Sequence, residues 1–331
     1  MIPFSVLDLC PIVEGGTAAD AFRNSLDLAQ HAEHLGYKRF WLAEHHNMPG
    51  IASAATSVVI AHVAGGTKTI RVGSGGVMLP NHTPLVIAEQ FGTLASLFPN
   101  RIDLGLGRAP GTDMIAARAL RRDTLNTSDR FPQDVVELQE FFRPALPNQP
   151  LRAVPGAGLG VPIWILGSSL FGAQLAAELG LPYAFASHFA PHDLIPAFHI
   201  YKRDFKPSEQ LQQPYAMACV HVYAADTDEE ARRLFTSMQQ AFINLRRGTP
   251  GRLRPPIDDI NSYCNPLEKA MIDETLKYAF VGSPQAVRPQ IEKFLREIQP
   301  DELMITANVY DHAARLHSFA LSAEISKSIS G

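Results

Sequence analysis

Short apolar runs alternate with longer amphipathic segments along most of this 331-residue chain. The short runs predict buried strands, whereas apolar residues that recur every three or four positions predict helices. Eight strands are predicted, at residues 4–9, 39–43, 70–79, 102–107, 162–166, 183–187, 215–224 and 302–307. Most of them precede a helical segment, and strands that alternate with helices form parallel sheets.

Eight strands, most followed by a helix, are typical of an α/β fold of the (β/α)8 TIM barrel type. The alternative is a doubly wound open sheet divided between two domains. The sequence favours the barrel, because no linker-like change of composition splits the chain. We therefore expect one barrel domain over residues 1–331.

Two segments do not fit the strand–helix repeat and predict long insertions after strands four and seven. The first, residues 109–130, carries the sequence RALRRD and is predicted to become ordered when a ligand binds. The second, residues 247–274, is rich in glycine and proline. Long loops in compact domains are commonly lids or binding elements, so both are expected beside a site.

Composition limits the possible partners and compartment. Hydrophobic residues make up 46% of the chain, enough for a large core, and the net charge of −4 gives no support for a nucleic-acid or anionic-membrane partner. The three cysteines are far apart and form no CxxC pair, which favours a reducing compartment. We find no signal peptide or apolar span, and therefore expect a soluble, cytoplasmic protein.

The most informative segment is the end of the second predicted strand, where an apolar run stops at Glu44, His45 and His46. Strands of a parallel barrel deliver such groups to the rim where ligands bind. Adjacent strand residues point to opposite faces, so one histidine is expected to line a cavity while the other turns away. Surface histidines are the alternative. We predict no metal, because the histidines show neither HxH nor HExxH spacing.

Three other groups of residues are candidates for binding a ligand. Glycines within the apolar run 72–79 predict a bulge or a close approach of the backbone, either to a ligand or to neighbouring strands. Arg108 follows the fourth strand and suits an anion; a dinucleotide fingerprint is excluded there because Pro110 stands where glycine is required. Ser168 and Ser169 precede a helix and could cap it, bind an anion, or do both.

The segments KRFWLAEHHN, VGSGGVMLPNHTPLVIAEQ and RIDLGLGRAPG resemble, in order and spacing, the bacterial luciferase-like flavin-dependent monooxygenases. The resemblance implies a (β/α)8 barrel in which His45, supported by Glu44, acts beside a flavin. It also implies a non-prolyl cis peptide at Gly75–Gly76 under the flavin ring. The flavin-binding residues implied by the resemblance are Gly75, Gly76, Gly107, Arg108, Ser168 and Ser169.

The same resemblance implies an activity. FMN would bind noncovalently in its reduced form, supplied by a separate NAD(P)H:flavin reductase. Dioxygen would add to the flavin C4a position, and the peroxyflavin would oxidise a small organic substrate. A homodimer is also expected. The predicted substrate pocket is mostly apolar and contains Pro11, Met78, Asn81, His82, Phe185 and His188.

Two rival functions remain open at this point. The same barrel serves enzymes that use the deazaflavin F420 for hydride transfer without oxygen. A flavin-binding protein without catalysis is the other rival, and a metal-dependent barrel hydrolase is more distant.

Overall fold

The computed structural model describes residues 2–109, 114–120 and 130–329, which contain nine strands. The strands are β1 Phe4–Asp8, β2 Arg39–Leu42, β3 Arg71–Met78, β4 Ile102–Gly107, β5 Ile163–Gly167, β6 Tyr183–Phe185, β7 Ala216–Ala224, β8 Ala279–Gly282 and β9 Glu302–Thr306. All pair in parallel, and eight of them close into a ring in the order β1-β2-β3-β4-β5-β6-β7-β9. The predicted (β/α)8 barrel is confirmed.

The eight predicted strands correspond to the eight strands of the ring, while β8 was not predicted. This four-residue strand pairs with the second half of β7 and lies outside the ring. Because β8 is short and shows no clear alternation, its apolar residues could not be distinguished from the turn before the next helix.

The described residues form eleven α-helices. They are α1 Ala18–Leu35, α2 Thr56–Gly66, α3 Pro84–Leu97, α4 Met114–Leu120, α5 Phe131–Phe142, α6 Leu170–Leu179, α7 Leu194–Asp204, α8 Asp228–Arg246, α9 Pro266–Thr275, α10 Pro284–Ile298 and α11 His312–Ile329. Local sequence explains several helix ends. Thr17 and Asp20 form a capping box at the start of α1, and Gly36 ends it in the left-handed conformation. Among the helices described, none is long and apolar enough to cross a membrane.

The two predicted insertions have different outcomes. Much of segment 109–130 lies outside the described residues, so its predicted ordering on binding remains a prediction; α4 lies within it. Segment 247–274 contains a short 3-10 helix and most of α9, so it is a structured excursion rather than a plain loop. Part of it lies over the end of the barrel, where the backbone N–H of Leu253 donates to the carbonyl of Ile12 over 2.9 Å.

The amino ends of the ring strands enclose an ionic cluster. Arg39 on β2 donates from Nη1 to Asp103 Oδ2 on β4 over 2.7 Å, and from Nε to Glu302 Oε1 on β9 over 2.7 Å. All three side chains are buried. Arg71, at the amino end of β3, also pairs with Asp103, and the Ser5 hydroxyl donates to Glu302. This cluster, which we call the ionic floor, connects strands on different sides of the barrel.

An apolar layer lies next to the ionic floor inside the barrel. Trp41 and Trp164 meet edge to face with ring centres 5.1 Å apart, and Met217 and Met304 complete the layer from β7 and β9. Trp41 Nε1 donates to Asp103 Oδ2 over 3.2 Å, which joins the two layers. The barrel is therefore filled from its amino end, and the open space is left at its carboxyl end.

Replacing Arg39 with Met tests the ionic floor. Two carboxylates would then lose their shared buried partner, and we expect the free energy of unfolding to fall by about 3–5 kcal/mol. Urea denaturation at neutral pH measures this change. The control is Arg203→Met, which breaks an exposed pair with Asp204 and should produce no measurable change. Equal stability of Arg39→Met and the wild type would contradict the role of the floor.

Candidate active site

A cavity of about 680 Å³ opens at the carboxyl ends of the ring strands. Its size is that of a cofactor or small-molecule site. Most residues predicted from the sequence to form the site line this cavity: Pro11, His45, Gly75, Gly76, Met78, Gly107, Arg108, Ser168, Ser169, Phe185 and His188. The described residues of the second insertion add Pro250, Gly251 and Leu253, so this excursion lies beside the cavity.

The glycine segment of β3 forms one wall of the cavity. The peptide bond between Gly75 and Gly76 is cis, as the resemblance implied. The pairing of β3 with β4 shifts by one residue between Ser74 and Val77, which is a bulge. The Ser74 hydroxyl bridges the irregularity, because it donates to the Gly105 carbonyl over 2.9 Å and accepts from the Gly105 N–H over 3.0 Å.

Neighbouring strands explain why both positions are glycine. A Cβ on Gly76 would lie 2.7 Å from the carbonyl oxygen of Gly105, and one on Gly75 would lie 2.8 Å from Leu7 Cδ1. Both distances are shorter than a normal contact. The backbone therefore approaches other strands closely, and it presents to the cavity a wall without side chains at this point.

A cation and a helix N-terminus lie at the adjacent edge, at the ends of β4 and β5. The Arg108 guanidinium lies over the Phe171 ring, 4.1 Å from its centre. Ser169 occupies the N-cap position of α6, yet within the described residues its side chain makes no capping hydrogen bond. The serine hydroxyls, the first N–H groups of α6 and Arg108 together form an edge suited to an anion.

Glu44 and His45 diverge after β2. His45 lines the cavity, whereas neither Glu44 nor His46 belongs to its lining, so the two histidines lie on different sides of the chain here. The buried Glu44 carboxylate accepts from His46 Nε2 over 2.7 Å and from His82 Nε2 over 2.8 Å. Its second oxygen accepts from the Met78 N–H over 3.0 Å.

These contacts correct the predicted placement of Asn81 and His82. We expected both in the substrate pocket, but they lie behind the cavity wall, beside Glu44. Glu44 Oε1, His46 and His82 bring three ligand atoms within 4.8 Å of one another, a group able to hold a metal ion. Sequence spacing did not reveal this grouping, because His82 comes from the loop after β3. The hydrogen bonds from both imidazoles satisfy the carboxylate without a metal ion.

The hydrogen bonds also set the ionisation of Glu44. Burial alone would raise its pKa, but donation from His46, His82 and Met78 outweighs burial and lowers the pKa to about 2. Glu44 is therefore a carboxylate at neutral pH. It holds the loops after β2 and β3 together directly behind His45.

One wall of the cavity was missed by sequence reasoning. His221 on β7, with Thr306 and Asn308 at the end of β9, lines the cavity together with His188 after β6. Burial lowers the pKa of His221 to about 4, although backbone groups of Thr306 and His188 partly oppose the shift. Burial, with repulsion from His221 and His45, holds the pKa of His188 well below its usual range. Both imidazoles are neutral at physiological pH.

Replacing Glu44 with Gln should remove a stabilisation that depends on pH. The folded pKa lies below the ordinary value of 4.5, so ionised Glu44 stabilises the fold above pH 4.5, and this stabilisation is lost as the pH falls toward 2. We expect the difference in unfolding free energy between wild type and Glu44→Gln to shrink by about 2–3 kcal/mol over that range. Urea denaturation at stepped pH measures it.

His82→Asn provides a second arm of this test. One imidazole donor to Glu44 is lost and His46 is retained, so the pH-dependent component should be smaller but still present. A gap between wild type and Glu44→Gln that is constant with pH would show that the carboxylate is not held in this way.

Comparison with known proteins agrees with the geometry. The sequence profile of the luciferase-like monooxygenases matches residues 2–302. A protein named luciferase-like monooxygenase from Escherichia coli (strain K12) is 55% identical over 330 residues, covering 100% of this chain and 98% of its own. The crystal structure of apo-MsnO8 superposes with a TM-score of 0.88 and 35% identity, covering 99% of both chains.

More distant structures share the fold alone. One is the oxygenating constituent of 3,6-diketocamphane monooxygenase from Pseudomonas putida, in complex with FMN, with 17% identity, a TM-score of 0.72 and coverage of 98% and 97% of the two chains. Another is an F420-dependent secondary alcohol dehydrogenase, with 14% identity, a TM-score of 0.68 and coverage of 96% and 97%. The profile match and the close relatives decide the family: the chain belongs to the luciferase-like monooxygenases and is a flavin-dependent monooxygenase.

Proposed function

We propose that this protein binds reduced FMN noncovalently and uses it with dioxygen to oxidise a small organic substrate. The observation that carries the proposal is the arrangement at one side of the cavity: a wall of backbone at Gly75 and Gly76, next to an edge suited to an anion. FMN has the matching parts, since a flat ring system is joined to a terminal phosphate.

The residues present fit this cofactor. Gly75 and Gly76 offer a surface without side chains, against which a flat ring can lie. The Arg108 guanidinium lies over the Phe171 ring, and its N–H groups can donate to phosphate oxygens. Ser168, Ser169 and the N-terminus of α6 add neutral donors at the same edge.

When bound, reduced flavin supplies the electrons that activate dioxygen, and a separate NAD(P)H:flavin reductase would provide it in that state. The chain's own residues orient the flavin, exclude water and handle protons. The lining is largely apolar, and the excursion bearing Pro250 to Leu253 adds to it, which would limit the contact of a bound flavin with water. His45 is the imidazole at the flavin side, held in position because Glu44 anchors the loop behind it.

FMN is favoured over F420 by charge. F420 carries an acidic tail beyond its phosphate, and such a tail calls for several cations. Among the described residues that line the cavity, only Arg108 and Arg246 are charged, and Arg246 lies exposed at the rim. A role restricted to flavin binding is disfavoured by the size of the cavity, whose lining extends beyond the anion edge and the flat wall to residues of β7 and β9.

We also propose that the protein is a homodimer. Helix α2 has no acidic residue, lysine or arginine, and it exposes Val58, while α3 exposes Val86 and Leu97. These exposed apolar side chains lie on two helices that pack against each other, and an apolar surface of this kind is suited to a partner. A second copy of the chain is the proposed partner.

Mixing the protein–reduced FMN complex with oxygen tests the proposed function together with the role of His45. We expect a transient flavin absorbance that matches neither reduced nor oxidised FMN, and delayed release of hydrogen peroxide. His45→Ala should bind FMN within about threefold of wild type but shorten the transient by about tenfold or more, because the protonating or hydrogen-bonding group is lost. Stopped-flow absorbance and a peroxide assay give both readouts.

The matched control is His199→Ala, an exposed histidine on α7, which should behave as wild type. Bound FMN that reoxidises as free flavin does would argue for a binding role. If the protein binds F420 and not FMN, the result would favour an F420-dependent enzyme that transfers hydride. Unchanged kinetics in His45→Ala would remove this residue from the mechanism.

A further inference from the structure

The side of the cavity that faces the proposed flavin wall is built differently from it. Around the eight-stranded ring, β7 lies opposite β3, β6 opposite β2, and β9 opposite β4. His221 on β7 therefore stands across the cavity from Gly75 and Gly76, and His188 after β6 stands across from His45. Thr306 and Asn308 face the strand that ends at Gly107 and Arg108. We call these four residues the polar wall.

Strand alternation places most of the polar wall on the inner face of the barrel. Residues 217, 219 and 221 of β7 point inward, as do residues 304, 306 and 308 at and after β9. The inward residues nearest the ionic floor are apolar: Met217, Cys219 and Met304 pack in one cluster. The polar members come last, at the level where the cavity opens.

The polar wall carries hydrogen-bonding atoms that lack partners. His188 Nδ1, Thr306 Oγ1 and Asn308 Oδ1 are buried without a partner among the described residues. The ring nitrogens of His221 are buried close to backbone groups of Thr306 and His188, but they make no well-aligned hydrogen bond among the described residues. His221 and Thr306 are at most 1% exposed and Asn308 is 7% exposed. A buried polar group without a partner costs on the order of 1–3 kcal/mol, and several in one place are typical of a site that a ligand completes.

The chemistry of these atoms limits the group that they can bind. Each neutral imidazole offers one donor and one acceptor, and the threonine hydroxyl offers both. The Asn308 amide nitrogen lies 3.9 Å from Met238 Sδ, which leaves its oxygen as an acceptor. Of the two charged residues in the described lining, Arg108 lies across the cavity and Arg246 at the rim. A carboxylate or an ammonium would therefore be buried against this wall without a counter-charge.

We propose that His188, His221, Thr306 and Asn308 form the subsite for an uncharged polar group of the substrate, a hydroxyl, ketone or amide, at the end of an apolar body. The apolar body would lie along Cys219, Met238 and Phe242. This subsite faces the backbone wall at Gly75 and Gly76, where the flavin is proposed to bind. That its ligand is the substrate therefore rests on the proposed function.

Three probes with the same chain test the subsite: hexanamide, hexanoate and hexylamine. Binding to the full-length protein is measured by ligand-observed NMR titration, once with oxidised FMN at saturation and once without it. We expect hexanamide to bind at least about tenfold more tightly than either charged probe, because only the amide can satisfy the wall without burying a charge. His221→Phe and Asn308→Leu should each weaken hexanamide binding by about fivefold or more.

The control is Cys219→Ala, on the same strand as His221 and next to the polar wall. It removes an apolar contact but no partnerless atom, and it should weaken all probes equally and by less than about threefold. FMN affinity, followed by quenching of flavin fluorescence, should not change in His221→Phe or Asn308→Leu, which also shows that these variants are folded.

The two proposals fail in different ways. Hexanoate or hexylamine binding as tightly as hexanamide would overturn the uncharged subsite, as would unchanged hexanamide affinity in both variants or no binding of hexanamide to the wild type. If the wild type does not bind FMN, the proposed function is overturned. The probe affinities measured without FMN would still show whether the polar wall selects an uncharged group.

Discussion

The buried guanidinium of Arg39 is the contact on which the rest of the barrel depends. It joins β2 to β4 and β9 through Asp103 and Glu302, at 2.7 Å to each carboxylate. Buried charges are tolerated only when each has its partner with good geometry, so the cluster favours one arrangement of these strands. Because strands are stiff over a few residues, fixing their amino ends also fixes where their carboxyl ends lie. The cavity is built from those carboxyl ends.

The layers above this floor determine what the cavity can hold. Trp41 and Trp164 fill the middle of the barrel, so ligands are confined to its carboxyl end. There the ring divides into two sides of different chemistry. The strands β2 to β5 supply a backbone wall, an arginine and a helix N-terminus, whereas β6, β7 and β9 supply neutral polar groups above an apolar surface. One side suits a flat cofactor with a phosphate, and the other suits an uncharged organic molecule.

Much of this arrangement could be predicted from the sequence, because local patterns determine it. Apolar runs located the eight ring strands, and residues at the ends of those strands, such as His45 and Arg108, proved to line one cavity. Contacts between distant segments were not predictable in this way. The link between Glu44 and His82 joins two loops 38 residues apart, so His82 was assigned to the wrong side of the cavity wall. His221 was overlooked because a single histidine within an apolar strand gives no sign of which atoms surround it.

In the proposed complex, the edge formed by Arg108, Ser168 and Ser169 holds the phosphate of FMN. Affinities of FMN and riboflavin, which differ only in that phosphate, should be compared for the wild type and for Arg108→Ala. We expect the wild type to bind FMN at least about tenfold more tightly than riboflavin, and Arg108→Ala to lose most of this preference while its affinity for riboflavin is unchanged. Equal affinities of the wild type for the two flavins would show that this edge does not hold the phosphate.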